Sequence, residues 1–365
     1  MVYTKYPIAF FLLLIAFINT SIANCYSQNK FTLAFGSCDN QRKENPFWED
    51  IISLKPDVWV WGGDNIYADT YNMAKMEKFY QQQKRDSSYQ KLVKNTPILA
   101  TWDDHDYGQN DGGTHYRKKE ESQQLFLDFL NVPKNSPRRK QAGIYHSKTF
   151  KIKNNSVKII TLDTRYFRTE LTKGTGKKRY QSNQKEGSIL GSDQWKWLAK
   201  ELTNSTANFT VIVSSIQVLS SEHGFEKWSN FPNEMTTFFK LIETSKAKNV
   251  IILSGDRHIS EFSKASLNTI AYPIIDFTSS GLTHAYSSFS SEKNKYRIGN
   301  VTSKLSYGVL FFDFISNKVT FQYEVKTRLY YKKSTKYILN FLIRLKSVFL
   351  RRFVRSSHLH FIYFN

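Results

Sequence analysis

Short apolar runs alternate with amphipathic stretches along most of the chain from residue 31 onward. The apolar runs have the length and the Val, Ile and Phe content of buried strands, and they cover residues 31–35, 58–61, 98–101, 157–162, 209–214, 250–253, 274–277, 307–314 and 318–325. The amphipathic stretches place apolar residues at helical spacing, and they cover residues 46–54, 73–84, 116–130, 192–202 and 234–245. Because strands and helices alternate, the pattern predicts an α/β fold in which helices cover the faces of sheets.

The segments between these elements predict the domain organisation. The last strands are joined by short connections, which is typical of antiparallel additions to a sheet. Residues 169–185 are polar and rich in Gly and Lys, so a surface loop is expected there. A composition of 40% hydrophobic and 23% charged residues excludes a disordered chain. The sequence therefore predicts one domain, residues 31–325, followed by a tail, residues 326–365.

The first 24 residues have the features of an export signal. A lone Lys5 precedes an apolar stretch, residues 8–18, which is too short for a comfortable membrane-spanning helix. The small residues of Ser21-Ile22-Ala23 predict cleavage just after Ala23. Alternatively, residues 22–25 resemble a bacterial lipobox with Cys25 as the lipidated residue. We therefore expect a signal peptide over residues 1–24 and a protein that is secreted, periplasmic or anchored to the cell envelope.

The charge distribution separates the tail from the body of the chain. The formal net charge is +21, which indicates anionic partners such as phosphorylated substrates, nucleic acid or acidic lipid. No acidic residue follows Glu324, whereas ten Lys and Arg residues do. Residues 338–353 place apolar residues among basic ones and predict a helix, which either lies on anionic lipid or packs on the sheet. Specific nucleic-acid recognition is not predicted, and a monomer is expected.

Polar residues follow four of the predicted strands directly. They stand in the segments Gly36-Ser37-Cys38-Asp39, Gly62-Gly63-Asp64-Asn65-Ile66-Tyr67-Ala68-Asp69, Trp102-Asp103-Asp104-His105-Asp106 and Ser254-Gly255-Asp256-Arg257-His258. In open α/β sheets the ligand site lies beyond the carboxyl ends of the strands, so these side chains are expected to meet. Carboxylates that are packed together repel one another, and bound cations relieve that repulsion. The pattern therefore predicts a metal centre.

Taken singly, the same motifs have ordinary explanations. A Gly-Asp pair at a strand end is often a turn in which the Asp side chain binds local backbone. Cys38 alone would be a small buried apolar residue, and Tyr67 alone would be a packing residue. The segment of residues 103–106 is harder to assign to a turn, because it holds three acids and a His in four residues. The order of the motifs at successive strand ends favours the metal centre.

Eight segments carry a resemblance to a known family, and they are residues 35–38, 63–69, 100–111, 162–165, 190–195, 214–217, 254–258 and 279–284. In content and order they resemble the alkaline phosphatase D, or PhoD-like, family of the metallophosphoesterase superfamily. The resemblance extends over residues 31–314. It implies a four-layer αββα sandwich with two central mixed sheets, and it implies a phosphoesterase.

The resemblance also implies a mixed centre of ferric iron with calcium or another divalent ion. By motif, the ligands would be Cys38, Asp64, Tyr67 and His258 for the iron and, with Asp64 as the bridge, Asp104 and Asp256 for the second ion. Thiolate and phenolate ligands suit a ferric ion, and an oxygen-rich site suits calcium. Gln217 stands where some relatives have a His ligand, and it is at most a weak ligand.

The expected reaction is hydrolysis of a phosphate mono- or diester through a metal-bound hydroxide. Two metal ions acidify a bound water and polarise the phosphoryl oxygens. His105 would contact the phosphate or protonate the leaving oxygen, with Asp103 or Asp106 to orient it. Arg165 and Arg257 would clamp the phosphate, or else serve as structural ion-pair partners.

Two other functions are consistent with the sequence. The basic tail would suit a phosphodiesterase that acts on phospholipid at the membrane surface. A non-catalytic envelope protein that binds anionic surfaces is the other alternative, although the complete ligand set argues against it. His223 and His284 either line the pocket or lie at the surface, and the surface is favoured for both.

Overall fold

The computed structural model describes residues 29–183, 186–326 and 332–340. Its strands are β1 (Lys30–Gly36), β2 (Val58–Gly62), β3 (Ile98–Thr101), β4 (His146–Ile152), β5 (Asn155–Thr161), β6 (Thr172–Lys173), β7 (Tyr180–Gln181), β8 (Phe209–Val213), β9 (Val250–Ser254), β10 (Ser260–Ala265), β11 (Ile274–Ser279), β12 (Arg297–Thr302), β13 (Ser306–Asp313), β14 (Lys318–Lys326) and β15 (Lys332–Asn340). Its helices are α1 (Trp48–Ser53), α2 (Met73–Arg85), α3 (Ser87–Asn95), α4 (Asp104–Tyr107), α5 (Lys119–Phe129), α6 (Gly191–Thr203) and α7 (Pro232–Thr244). In this part of the chain, no helix combines the length and the apolar content needed to cross a bilayer.

The two large sheets lie face to face, and helices cover their outer faces. Successive side chains of a strand point to opposite faces of the sheet, so one strand contributes to two cores. In β1, Leu33 and Phe35 pack between the sheets, whereas Ala34 packs in the core formed with α1, α2, α3 and α5. In β8, Val211 packs between the sheets, whereas Ile212 packs in the core formed with α6 and α7. The prediction of a four-layer αββα sandwich is confirmed.

Each sheet combines a parallel centre with antiparallel additions. The first sheet has the strand order β15-β14-β13-β1-β2-β3, in which β1, β2 and β3 are parallel. The second has the order β12-β10-β11-β9-β8-β5-β4, in which β5, β8, β9 and β11 are parallel. The strands after residue 305 add to the first sheet in antiparallel fashion, as their short connections predicted.

The loops that follow the parallel strands of both sheets meet at one end of the sandwich. The backbone N–H of Gly255 donates to the carbonyl oxygen of Ser215 at 2.9 Å, which joins the loops after β8 and β9. A Cβ atom at position 255 would lie 2.5 Å from Oγ of Ser37 and 2.7 Å from the carbonyl oxygen of Gly62. The close approach of the two sheets therefore requires glycine here. This end of the sandwich collects the residues that follow the strands.

All nine predicted strands and all five predicted helices are present, with ends shifted by a few residues. The sequence did not predict β4, β10, β12, α3 and the short helix α4. In β10 the buried positions include Ser260, Glu261 and Ser263, so the apolar run that identifies a strand is absent there. Residues 169–185, expected to form a surface loop, contain the small hairpin β6–β7.

The prediction for the C-terminal segment needs correction. The first sheet continues past residue 325, because β15 pairs with β14 from Lys332 to Asn340. In β15 Ile338 is exposed and Leu339 is buried, which is the period-two pattern of a strand. The helix predicted for residues 338–353 is therefore wrong for residues 338–340, since the open edge of β14 binds this segment as a strand. Residues 341–365, the predicted signal peptide and Cys25 lie outside the described residues.

Candidate active site

Four residues that follow strands adopt a backbone conformation that favours glycine. The φ angles are 62° at Cys38, 53° at Asp64, 66° at Asp256 and 54° at His258. Other residues are uncommon in this left-handed region, and each one costs on the order of 1–3 kcal/mol. Such conformations persist where the surroundings enforce them, and they cluster at functional sites. All four residues are among the metal ligands that the sequence predicted.

The first group of candidate ligands surrounds the carboxylate of Asp64. Its Oδ2 lies 3.3 Å from Sγ of Cys38 and 3.2 Å from Oη of Tyr67. Oη of Tyr67 lies 3.1 Å from Nε2 of His258. Ser280 positions two of these residues, because its Oγ lies 3.1 Å from Sγ of Cys38 and accepts the backbone N–H of His258 at 2.8 Å. A thiol, a phenol, an imidazole and a carboxylate therefore converge on one point.

The second group of candidate ligands is acidic and adjoins the first. Asp103, Asp104 and Asp256 offer oxygens that all lie within 4.8 Å of one another. Two further sets of residues have ligand atoms within the same distance of one another. One set is Asp64, Asp104 and His105, and the other is Cys38, Asp64 and His258. Because Asp64 and Asp104 each belong to two of these sets, the groups are contiguous. The arrangement has the donors for more than one cation.

Burial shifts these groups toward their protonated forms. It raises the pKa of Asp64 well above its usual range, and the charge of Cys38 raises that pKa further. Burial also raises the pKa of Cys38 to about 11 and the pKa of Asp256 to about 7. The pKa of Tyr67 is raised well above its usual range for the same reason. A bound cation would reverse these shifts, because it stabilises the deprotonated form that coordinates it.

The donor set fits the metal ions that the family resemblance implied. Oδ2 of Asp103 is buried and has no hydrogen-bond partner among the described residues. Buried polar atoms are nearly always paired, so an unpaired carboxylate oxygen within an acidic group indicates a position for a cation. Thiolate, phenolate and imidazole donors suit iron, whereas carboxylates suit calcium. Which ions bind stays a prediction.

A cleft of about 290 Å³ gives access to both groups. Its lining consists of Asp64, Asp104, His105, Asn110, Asp111, Arg179, Tyr180, Phe225, Glu226, Asp256, Arg257, His258 and Tyr286. Five of these residues carry carboxylates and two carry guanidinium groups. Because carboxylates outnumber guanidinium groups in this lining, bound cations would make the cleft more favourable for an anionic ester.

His105 lines the cleft and is held by an acid that the sequence prediction did not consider. Its Nδ1 lies 2.6 Å from Oδ2 of Asp69, and its ring centroid lies 4.2 Å from that of Tyr67. Burial alone would lower the pKa of His105, but the charges of Asp104 and Asp64 outweigh burial and raise it to about 11. The imidazole is therefore oriented through Nδ1 by Asp69.

The prediction that Asp103 or Asp106 orients His105 is wrong. Oδ1 of Asp106 accepts the backbone N–H of Asp103 at 2.6 Å and so caps the short helix α4. Oδ1 of Asp103 accepts Nε–H of Arg165 at 2.5 Å. The helical turn of α4 directs both carboxylates to partners other than the imidazole of His105.

Arg165 is an ion-pair partner rather than a phosphate clamp. Its side chain is 0% exposed and binds Asp103 on one side and Glu226, through Nη1 at 2.6 Å, on the other. Arg168 binds the second oxygen of Glu226 through Nε at 2.8 Å. A side chain that is wholly buried between two carboxylates does not reach a substrate. Of the two readings that the sequence left open for Arg165, the structure supports the ion pair.

Arg257 lines the cleft but is held at its wall. Its Nη2 lies 2.8 Å and 2.6 Å from the two carboxylate oxygens of Glu292. Its guanidinium carbon lies 4.2 Å from the ring centroid of Phe225. Contact between Arg257 and a phosphate stays a prediction.

Two histidines lie elsewhere than expected. The ring centroid of His284 lies 4.3 Å from that of His258 and 4.8 Å from that of Tyr67, so His284 contacts candidate ligands. His223 is buried. The surface position favoured for His223 is therefore wrong, and of the two positions left open for His284, its ring contacts favour the pocket. The amide nitrogen of Gln217 donates to side chains in β10 and β11, and its role as a weak ligand stays a prediction.

Sequence reasoning missed several residues that contact the candidate ligands, line the cleft or hold Arg257 at its wall, namely Asp69, Asp111, Arg179, Tyr180, Phe225, Glu226, Ser280, Tyr286 and Glu292. Asp69, Asp111 and Ser280 stand within segments that carried the family resemblance, so their closeness to predicted ligands was a usable signal. The others lie in loops or in the hairpin β6–β7, and their approach to the site depends on the fold.

Comparison with known proteins identifies the family and agrees with the fold. Residues 33–306 match the sequence profile of the family described as PhoD-like phosphatase. The chain is 23% identical to alkaline phosphatase D of Bacillus subtilis (strain 168), in a match that covers 63% of this chain and 46% of that protein. The chain thus spans about half the length of the curated relative it matches.

Two solved structures share the fold. The structure of PhoD superposes with a TM-score of 0.70 and 17% sequence identity, over 86% of this chain and 70% of that one. GAP50, described as the anchor in the inner membrane complex of Plasmodium, superposes with a TM-score of 0.56 and 12% identity, over 90% of this chain and 95% of that one. Because the family profile matches most of its length, this chain belongs to the PhoD-like phosphatase family.

Proposed function

We propose that this chain is a metal-dependent phosphoesterase that hydrolyses phosphate mono- or diesters. The observation that supports the proposal best is the contiguity of the two candidate metal groups, through Asp64 and Asp104, on the lining of one cleft. Adjacent cations suit phosphoryl transfer, because charge develops on the attacking, leaving and equatorial oxygens together. Membership of the PhoD-like phosphatase family favours the same activity.

In this proposal the ferric ion is held by Cys38, Asp64, Tyr67 and His258, and calcium or another divalent ion is held by Asp64, Asp104 and Asp256. When bound, the ions would neutralise the charge of the ester and lower the pKa of water. The first donor set mixes sulfur, oxygen and nitrogen, whereas the second consists of carboxylates, so the two sets favour different ions.

His105 is the residue that would move a proton. Its Nδ1 is engaged by Asp69, so Nε2 is the nitrogen left to donate a proton to the leaving oxygen. The charges of Asp104 and Asp64 raise the pKa of His105, and where bound cations offset those charges, the hydrogen bond to Asp69, which is not a proposed ligand, still favours the protonated ring. Asp69 orients the ring and stabilises its charged form, as a carboxylate does for a catalytic imidazole in other hydrolases.

The His105→Asn variant is expected to lose more activity on esters with poor leaving groups than on esters with good ones. An alkoxide leaving group needs a proton, whereas p-nitrophenolate leaves without one. We expect kcat for glycerol phosphate to fall by about 10²–10⁴-fold, and kcat for p-nitrophenyl phosphate to fall much less.

Steady-state assays of both substrates would measure this difference. The Asp69→Asn variant is the matched control, because it keeps the imidazole and removes only the group that orients it, so its loss should be smaller and in the same direction. An equal loss on both substrates in His105→Asn would show that His105 does not donate the proton.

The metal content of the purified protein tests the proposed phosphoesterase function as a whole. Elemental analysis of the purified protein should find iron together with calcium or another divalent metal. Treatment with a chelator should abolish the hydrolysis of p-nitrophenyl phosphate, and the two ions added together should restore it. Full activity in protein shown to be free of metal would contradict the proposed function.

A further inference from the structure

The two arginines that line the cleft differ in how freely they can meet a ligand. Arg257 is 5% exposed, and Glu292 and the ring of Phe225 hold it in place. The side chain of Arg179 is 52% exposed and projects from the hairpin β6–β7. Of the two guanidinium groups in the described lining of the cleft, that of Arg179 is therefore the accessible one.

Arg179 is bound to a carboxylate at the rim of the candidate metal site. Its Nη2 lies 2.5 Å from Oδ2 of Asp111. The same oxygen accepts the hydroxyl of Tyr180 at 2.7 Å. The backbone N–H of Asp111 donates to Oδ2 of Asp104 at 2.6 Å, so Asp111 stands next to a predicted metal ligand. The guanidinium of Arg179 therefore already binds an anionic group, the carboxylate of Asp111, at the rim where an anionic substrate would bind.

We propose that Arg179 binds the phosphoryl group of the substrate and that Asp111 holds the guanidinium in place until substrate displaces it. This inference rests on the proposed phosphoesterase function. A guanidinium binds two phosphoryl oxygens as readily as it binds a carboxylate, so the exchange replaces one charge-assisted pair with another.

The exchange also has a consequence for substrate class. Asp111 carries one negative charge, a phosphodiester carries one, and the phosphoryl group of a monoester carries two at alkaline pH. A dianion displaces Asp111 more readily than a monoanion does, because its attraction to the guanidinium is about twice as large at the same distance. Arg179 therefore selects phosphate monoesters over diesters.

The test compares p-nitrophenyl phosphate with bis(p-nitrophenyl) phosphate, which share a leaving group and differ in charge. In Arg179→Gln, KM for the monoester should rise about tenfold or more, as expected for the loss of a hydrogen-bonded charge pair. KM for the diester should change by less than about threefold, since one charge gives a weaker attraction. Arg179→Lys should restore part of the loss, and Lys173→Gln, at an exposed position of the same hairpin, should match the wild type.

A second variant separates substrate binding from a structural role of the ion pair. Asp111→Asn keeps the backbone N–H that binds Asp104, and Asn tolerates the φ angle of 51° at this position. It frees Arg179, so the inhibition constant of inorganic phosphate should fall, whereas Arg179→Gln should raise it. If both variants shift the constant in the same direction, or if the monoester KM of Arg179→Gln is unchanged, the inference is overturned. Wild-type activity that disappears in Asp64→Asn would still support the proposed function in that case.

Discussion

The Asp64→Asn variant is expected to lose its bound metal and at least about 10³-fold of its kcat/KM on phosphate esters. The reason is the position of Asp64, which belongs to two of the three sets of candidate ligands. Its Oδ2 lies near Cys38 and Tyr67, while its Oδ1 lies 3.4 Å from the backbone nitrogen of His105. An amide carries no charge and offers a weaker ligand, so one substitution affects both metal positions.

The same substitution should leave the fold intact. Asn is among the residues that tolerate the φ angle of 53° found at position 64. Burial and the charge of Cys38 raise the pKa of Asp64, so without a cation the ionised carboxylate is unfavourable there and a neutral amide removes that repulsion. The thermal unfolding midpoint of the metal-free variant is therefore expected to equal or exceed that of the metal-free wild type.

Elemental analysis, kcat/KM and thermal unfolding of the same preparations would measure the three effects together. Asp193→Asn is a suitable control, because Asp193 is 74% exposed, lies on α6, forms an ion pair with Lys196 and accepts the hydroxyl of Ser192, all at the surface. An Asp64→Asn protein that keeps its metal and its activity would falsify the assignment of the site.

The sequence predicted the candidate ligands because their convergence follows from topology. Cys38, Asp64, Asp104 and Asp256 each come after a strand of a parallel set, and the ends of such strands meet at one end of the sandwich. Glycines at the same ends were visible in the sequence, and the structure shows that position 255 has no room for a Cβ atom. Neither feature depends on the detailed path of the loops.

The residues that support the ligands were not predictable in the same way. The partner of His105 is Asp69, at a separation of 36 residues, and the choice between Asp69 and the adjacent acids depends on the turn of α4. Glu226 reaches Arg165 from 61 residues away, on a loop without regular structure. The last three residues of the edge strand β15 were assigned to a helix because local spacing does not reveal the open edge of β14.

The Arg165→Met variant is expected to lose about 3–5 kcal/mol of the free energy of unfolding, the cost of leaving buried charges without their partner. Arg165 is 0% exposed and lies between Asp103 and Glu226, which are 0% and 1% exposed. Met keeps much of the volume, so the loss reports the charge rather than a cavity. In this variant Glu226 keeps its ion pair with Arg168, whose Nε lies 2.8 Å from the carboxylate of Glu226. The larger part of the lost stability should therefore come from Asp103, which loses its partner.

Urea unfolding of the metal-free protein would measure this loss without a contribution from bound ions. Lys134→Met is the matched control, because Lys134 pairs with Asp128 at 2.6 Å but is 78% exposed, and exposed pairs contribute only about 0–1 kcal/mol. Adding Asp103→Asn to Arg165→Met should recover part of the stability, since the second change removes the orphaned charge. If the Arg165→Met variant were as stable as the Lys134→Met control, the buried ion pairs of Arg165 would not contribute to the stability of the fold. Phosphate binding by Arg165 would then have to be reconsidered, because a buried charge that does not stabilise the fold is expected to have a functional role.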